Sequence, residues 1–390
     1  MKFIDFCSGK LKESYLEEIT FNKKTVIIIS DVNKSIGFEI LFDYFKKNNL
    51  NFSVILLNKK INSPFQNYLS LNGINNKFIK LNSKKDYPLA FFKLFIFLLF
   101  NRKQIMHTHL RDADILGQIC GFILLIPKRI YTRHSSTFNH IYFPKSVKYD
   151  KLVNKLANTI VSISPVTKKT LIELENVPER KIVSIPHGFN TSEILNVDQL
   201  RIKKIKEKYN IKEDQIIIGV ISRYIEWKGV QYSIDAFKLF LKKYPNSKLI
   251  LANCDGDYKK QIKKLLDAIP KENYIEIPFE NDIFALYKVF NFFIHVPITE
   301  DIEAFGQIYI ESLASGVPSV FTKSGIGVEI CKNNSNCIVV NYSDSLEIYE
   351  ALIRYINDPI LKNKIIQNGL LSVQKFTFEN SSKLTINLYK

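Results

Sequence analysis

The chain has 390 residues, of which 46% are hydrophobic, 24% charged and 13% aromatic. That length leaves room for two or three domains with proper cores, and that balance excludes both wholesale disorder and a small scaffold held by disulfides. Lys and Arg outnumber Asp and Glu by 55 to 38, a formal charge of +17, so an anionic partner or surface is expected; the dispersed lysines, without zinc-finger, RNP or basic-zipper patterns, speak against nucleic acid.

Five cysteines, Cys7, Cys120, Cys254, Cys331 and Cys337, form no C-x-x-C pair, which suits a reducing compartment. The first 20 residues carry charges every few positions and lack the apolar core of a signal peptide, so a cytoplasmic location is expected. Residues 1–24 read as an irregular extension.

From residue 25 strand and helix patterns alternate. Short β runs are predicted at 26–29, 52–57, 78–81, 105–109, 129–133, 160–163 and 182–185, with helical patterns between most of them. Such alternation implies a parallel sheet with helices on both faces and ligands at the carboxyl ends of the strands. After the first strand, residues 31–39 (DVNKSIGFE) offer Gly37, where backbone can approach a phosphate or an acceptor; a plain helix-entry turn reads equally well.

The most apolar run, residues 89–100, is interrupted by Lys93 and is far shorter than the roughly 20 residues that span a bilayer. It reads first as a core helix beneath the sheet. Because it is apolar almost all round and flanked by Lys84, Lys85, Arg102 and Lys103, reversible docking on an anionic membrane is the second reading. His107 and His109 recur at a strand end, but no carboxylate or cysteine cluster completes a site, so no metal is expected. His134 follows the strand at 129–133; taken alone it reads as a satisfied loop histidine.

Turn chemistry at 186–190 (PHGFN) and a charged segment at 201–208 place a domain join near residue 190. A second strand series is predicted at 215–222, 249–253, 274–277, 292–296, 319–322 and 338–340. The expected domains are therefore 1–190 and 191–375, followed by a polar tail, 376–390. The first strand of the second series ends in Ser222-Arg223, and Lys228-Gly229 opens the next helix. Both cations thus stand at a strand's carboxyl end, where ligands of such sheets sit. On their own they would be ordinary solvated charges.

The richest stretch is 303–329, EAFGQIYIESLASGVPSVFTKSGIGVE. Phe305, Ile308, Tyr309, Ser312, Leu313 and Gly316 repeat at helical spacing and predict a helix with one packed face. Glu311 falls off that stripe, and Glu303 stands at the helix start beside Phe305-Gly306, where free backbone N–H groups collect. Helical throughout, the segment would set the two carboxylates about 12 Å apart along the axis, enough to span a sugar diphosphate and its ribose. Gly316-Val317-Pro318 then stops the helix, and Gly325 and Gly327 offer a tight turn ending at Glu329. Neither G-x-x-x-x-G-K-[ST], nor G-x-G-x-x-G after the first strand, nor G-x-S-x-G occurs.

The E-x-F-G at 303–306, the second glutamate at 311 and the glycine turn closing on Glu329 together resemble the retaining glycosyltransferases of family 4 (group 1), which have the GT-B fold. The resemblance implies an α/β architecture of two Rossmann-like domains facing a central cleft, with the tail crossing back to the first. It puts Glu303 by the donor hexose and Glu311 on the ribose hydroxyls, Arg223 and Lys228 on the leaving diphosphate, and His134 near the hexose. Phe305, Gly306, Gly325 and Gly37 join the donor-binding set. The chain departs from the family at Gly325-Ile326-Gly327, where adjacent glycines are usual, and in having only Gly37 in its first loop.

Also implied are a UDP or GDP sugar as co-substrate with no metal or other cofactor, a glycan or lipid-linked acceptor, and work at the inner face of a membrane in surface polysaccharide or glycolipid synthesis. The rivals are a non-catalytic binding protein for an anionic polymer or lipid, and a sugar-nucleotide epimerase or phosphorylase.

Overall fold

The computed structural model describes residues 24–101 and 103–390. The predicted N-terminal extension, Cys7 and Arg102 lie outside the described residues.

Each predicted β run from residue 25 onward is a strand, and the strands sort into two all-parallel sheets. The first holds β1 (Thr25–Ser30), β2 (Phe52–Asn58), β3 (Asn76–Lys80), β4 (Ile105–His109), β5 (Lys128–Arg133), β6 (Thr159–Ser162) and β7 (Ile182–Ser184) in the order β3-β2-β1-β4-β5-β6-β7. The second holds β8 (Ile216–Ile221), β9 (Ser247–Ala252), β10 (Tyr274–Ile277), β11 (Phe292–His295), β12 (Ser319–Phe321) and β13 (Ile338–Val339) in the order β10-β9-β8-β11-β12-β13. Both are Rossmann-like. Central strands such as β1 and β9 are buried along their whole length, which is why they read as continuous β-branched and aliphatic runs rather than alternating ones.

Helices cover the first sheet on both faces. Helix α1 (Ile36–Lys47), capped by the Ser35 hydroxyl, buries Phe42 and Phe45. Helices α2 (Pro64–Leu71), α3 (Tyr87–Phe100), α4 (Arg111–Ile123), α5 (Phe138–Tyr142) and α6 (Val147–Leu156) follow. The apolar run falls in α3, which buries Ala90, Leu94 and Leu98 but leaves Leu89, Phe92, Leu99 and Phe100 exposed. Among the described residues no helix is long and apolar enough to cross a membrane.

The C-terminal segment returns to the first domain. It forms a helix, Phe378–Tyr389, whose Ile386 and Tyr389 enter the core that α1 makes with the first sheet. The Tyr389 hydroxyl meets Nδ1 of the buried His107 at 2.6 Å. Just before this helix the chain runs beside residues 186–189: Phe189 N–H donates to the Phe376 carbonyl at 2.9 Å, and the Ser381 hydroxyl to the Pro186 carbonyl at 2.9 Å.

Gly188 sits where these two crossings touch. A Cβ there would lie 2.5 Å from the Phe378 Cα and 2.8 Å from the Thr377 carbonyl oxygen, and backbone on both sides prevents escape. We expect Gly188→Ala to cost about 1–3 kcal/mol, read as a lower guanidinium midpoint. Gly37→Ala, whose Cβ would meet only a ring carbon of Phe378 at 3.9 Å, should leave the midpoint unchanged or raise it by up to about 1 kcal/mol.

Candidate active site

In an open parallel sheet the crevice lies where the strand order reverses. The two reversals here fall between β1 and β4 and between β8 and β11. The loop after β8 carries Arg223 and Lys228, and β11 ends at His295. The loop after β1 leads to Gly37, and β4 ends at His109. Residues from both domains line one cavity of about 730 Å³, including Gly37, His109, His134, His187, Gln307 and Glu311.

Glu303 is 4% exposed and has a partner on each oxygen. Lys228 Nζ bonds Oε1, and His295 Nε2 lies 3.0 Å from Oε2. Burial alone would push this carboxyl upward, but the Lys228 charge and then His295 more than reverse that and hold it at about 2. Glu303 is therefore a carboxylate at neutral pH, and Lys228 is fixed further by the Trp227 ring, 4.5 Å from its nitrogen.

The expected helix begins later than its pattern suggests. It runs Gln307–Ala314, with Gly306 as its N-cap at φ +78°, so Glu303 sits in the preceding loop and the axial spacing drawn for one continuous helix does not hold. Space explains the glycine. A Cβ on Gly306 would come within 2.6 Å of Glu303 Oε2, and one on Gly325, at φ +57°, within 2.5 Å of the Phe305 carbonyl oxygen. With no capping side chain, the first N–H groups of the helix remain available to a ligand.

The Glu303 loop is gripped from the other domain. Ser136 Oγ donates to the Ile302 carbonyl at 3.0 Å, Thr137 Oγ1 to that of Asp301 at 2.7 Å, and Ser164 Oγ to that of Ala304. On its own side, Ser324 Oγ accepts from the Glu303 N–H at 3.4 Å and donates to the Glu300 carbonyl at 3.0 Å.

Glu311 faces the cavity from the helix. Burial raises its pKa, against which the Tyr287 hydroxyl donates at 3.1 Å. Across the cavity stand His107, His109, His134 and His187. His109 Nδ1 is 3.3 Å from His134 Nε2, and the His134 ring stacks on that of His187 at 5.7 Å. The Phe305 ring packs on His187 and Phe189. It is buried there. Arg223 is exposed at the end of β8 and has not been drawn into the Glu303 pair.

The structure thus joins Lys228 to Glu303 directly, locks Phe305, Gly306 and Gly325 around that pair, and gathers Glu311, His134 and Gly37 around the shared cavity. Sequence reasoning missed His295 and Tyr287. His295 carried one usable signal, its place near the carboxyl end of a predicted strand in the second half; Tyr287 carried none. Among the described residues there is no group of three metal-ligating side chains.

Two Rossmann-like domains meeting at their switch points around a buried carboxylate–cation pair are the architecture of a GT-B glycosyltransferase. Residues 201–371 match the family described as glycosyl transferases group 1, residues 51–193 match glycosyltransferase family 4, and the chain belongs to this family. It is 26% identical to the capsular polysaccharide biosynthesis glycosyltransferase CapM of Staphylococcus aureus, over 71% of this chain and 74% of CapM. It is 22% identical to the alpha-monoglucosyldiacylglycerol synthase of Acholeplasma laidlawii, over 98% and 96% of the two chains. Among solved structures, a Rickettsia africae glycosyltransferase superposes with a TM-score of 0.79 at 20% identity, covering 95% of this chain and 98% of that one. Anabaena HepE in complex with UDP-glucose gives 0.78 at 18%, covering 93% and 99%. At such identities these structures show the fold.

Two outcomes follow from the electrostatics. Lys228→Met removes the main partner of a buried carboxylate and should cost about 3–5 kcal/mol, much of it recovered in the Lys228→Met/Glu303→Gln double variant, as a denaturation cycle would show.

The second concerns pH. Burial holds His107 at about 3 and His187 at about 4, and burial with neighbouring rings holds His109 and His134 well below the histidine range. Below about pH 6.5 the unfolded chain takes up protons that the folded state refuses, so stability falls as pH drops, by at most about 1.4 kcal/mol per pH unit for each histidine. Glu303, with its depressed pKa, adds to this only below about pH 4.5. Urea midpoints at pH 7 and pH 5 should differ in this sense, and His187→Asn should make the difference smaller.

Proposed function

We propose that this enzyme moves a hexose from a UDP or GDP sugar to a hydroxyl of a glycan or lipid-linked acceptor with retention of configuration, without a metal, at the inner face of a membrane. The observation that carries the reading is the Lys228–Glu303–His295 cluster at the β8/β11 reversal, beside the uncapped start of the helix Gln307–Ala314. HepE, a structural neighbour, is described in complex with UDP and with UDP-glucose, and the two relatives above are described as enzymes of capsular polysaccharide and glycolipid synthesis.

The residue roles follow from the chemistry. Glu303 is ionised with both oxygens engaged, so it is a poor nucleophile and no proton donor; it fits a hydrogen-bond acceptor that orients the hexose hydroxyls. As the bond from the anomeric carbon to the diphosphate breaks, negative charge gathers on the leaving oxygen. Arg223, Lys228 and the helix N–H groups face that charge. The acceptor oxygen bonds the anomeric carbon from the same face, and its proton passes to the leaving diphosphate. Glu311, on the opposite side of the helix start, accepts from the ribose hydroxyls; Gly37 lets the first-domain loop close on the donor, and His134 approaches the hexose. The charge of +17 suits an anionic bilayer carrying the acceptor.

Product analysis by mass spectrometry with a pool of sugar nucleotides tests this. Glu303→Ala and Arg223→Ala should each lower transfer by at least about 10²-fold while the fold persists, and Glu311→Ala should weaken nucleoside-diphosphate binding by roughly 10-fold or more in calorimetry. Full activity in Glu303→Ala or Arg223→Ala would sink the assignment.

A further inference from the structure

A bilayer-borne acceptor has to reach the cleft, and the surface that brings it there is the concern here. The exposed apolar face of α3 is the obvious candidate from the sequence, but only its first turns, with Leu89 and Phe92, stand on the side of the strands' carboxyl ends. Helix α3 leads from β3 to β4, so Leu99 and Phe100 stand at the amino ends of the strands, on the side away from the cleft. Phe122, Ile123 and Leu125, at the end of α4, are on that side as well.

A second patch lies on the cleft side. Helix α5 follows the carboxyl end of β5, and Ile141, Tyr142 and Phe143 at its end are 52%, 46% and 55% exposed. The preceding residues, Ser136 and Thr137, are the ones that grip the Glu303 loop. Partial burial, and then the carboxylates of Glu226 and Asp257 in the second domain, raise the Tyr142 phenol.

The patch has a basic margin. Lys145, in the turn before α6, and Lys148, Lys151 and Lys155 within it are exposed, and among the described residues none pairs with a carboxylate. The only acid in this stretch, Asp150, is buried against Arg133 and Asn139. Tyr149 and Leu152, 40% and 38% exposed, interleave with the lysines.

The platform is also rigid. Arg133 Nη2 meets Glu175 Oε1 at 2.6 Å, His140 Nε2 meets the same oxygen at 3.0 Å, and Asn154 donates to Oε2 at 2.6 Å, so α5 and α6 are pinned to β5 by a buried polar network. Ile141 and Phe143 at the tip, the Tyr142 and Tyr149 rings at the edge and lysines without carboxylate partners behind them fit the acyl–headgroup boundary of an anionic bilayer.

We propose that residues 141–152 dock this enzyme on an anionic lipid surface, Ile141 and Phe143 entering the boundary region and Lys145, Lys148 and Lys151 meeting lipid phosphates, so that the membrane lies at the mouth of the cleft. This rests on the reading of a lipid-linked acceptor. Co-sedimentation of the full chain with phosphatidylglycerol vesicles tests it, with phosphatidylcholine vesicles as the neutral arm.

Ile141→Ser/Phe143→Ser and Lys145→Gln/Lys148→Gln/Lys151→Gln should each weaken partition onto anionic vesicles by at least about tenfold. Phe92→Ser/Phe100→Ser, on α3, should not. Unchanged partition in the first two variants, equal binding to neutral vesicles, or loss only in the α3 variant overturns the proposal. So does a stable dimer in light scattering that Ile141→Ser/Phe143→Ser dissolves while vesicle binding persists. Calorimetry with UDP and GDP on the same proteins keeps the two readings apart: loss of vesicle binding with intact nucleotide binding concerns the docking surface, whereas no nucleotide binding in the parent protein concerns the transferase reading itself.

Discussion

A carboxylate buried this deeply has to be compensated, and the Glu303 site depends on that constraint. Taking an ion out of water costs several kcal/mol even after relaxation, so an unpaired Glu303 would either protonate or pull its loop toward solvent. Lys228 on one oxygen and His295 on the other prevent both. The arrangement asks a great deal of the backbone. Lys228 comes from the loop after β8, His295 from the last position of β11, and Glu303 from a loop that Gly306 and Gly325 let fold back within van der Waals distance of its own carboxylate and carbonyls. Parallel pairing of β8 with β11 brings the first two together, because it sets both strand ends on the same edge of the sheet.

The same loop is the main seam between the domains. Its carbonyls at Asp301, Ile302 and Ala304 accept from hydroxyls after β5 and β6, while the C-terminal helix returns to lay Ile386 and Tyr389 in the first core. The loop's side of the seam is therefore polar, made of buried hydroxyl-to-carbonyl bonds, and the return of the C-terminal helix is apolar.

The cavity is divided by domain. The second lends it Gln307 and Glu311 from the site helix, while Arg223, Lys228 and Glu303 stand outside its lining. The first lends it neutral histidines and the apolar edge of α1. Those histidines are neutral because they are buried beside one another, and a second imidazolium in such a cluster would be repelled as well as desolvated.

The amino-acid sequence by itself determined the alternation of strands and helices, and with it the two parallel sheets. Fully buried parallel strands must be continuous apolar runs, and such runs are visible without coordinates. It also determined which charged residues stand at strand ends, and so Arg223, Lys228 and the E-x-F-G block. The start of the site helix was not determined in this way, because Gly306 is required by a collision with the folded-back Glu303 side chain, a contact that no periodicity encodes. His295 became a partner of Glu303 only through sheet pairing and the loop's return. Tyr287 met Glu311 through packing of two helices whose sequences hold no sign of each other. The apolar residues of α3 and α5 look equally exposed-or-buried as strings; only the crossover from β3 to β4 turns the last turn of α3 away from the cleft, and only the bonds from Ser136 and Thr137 to the Glu303 loop set the end of α5 beside it.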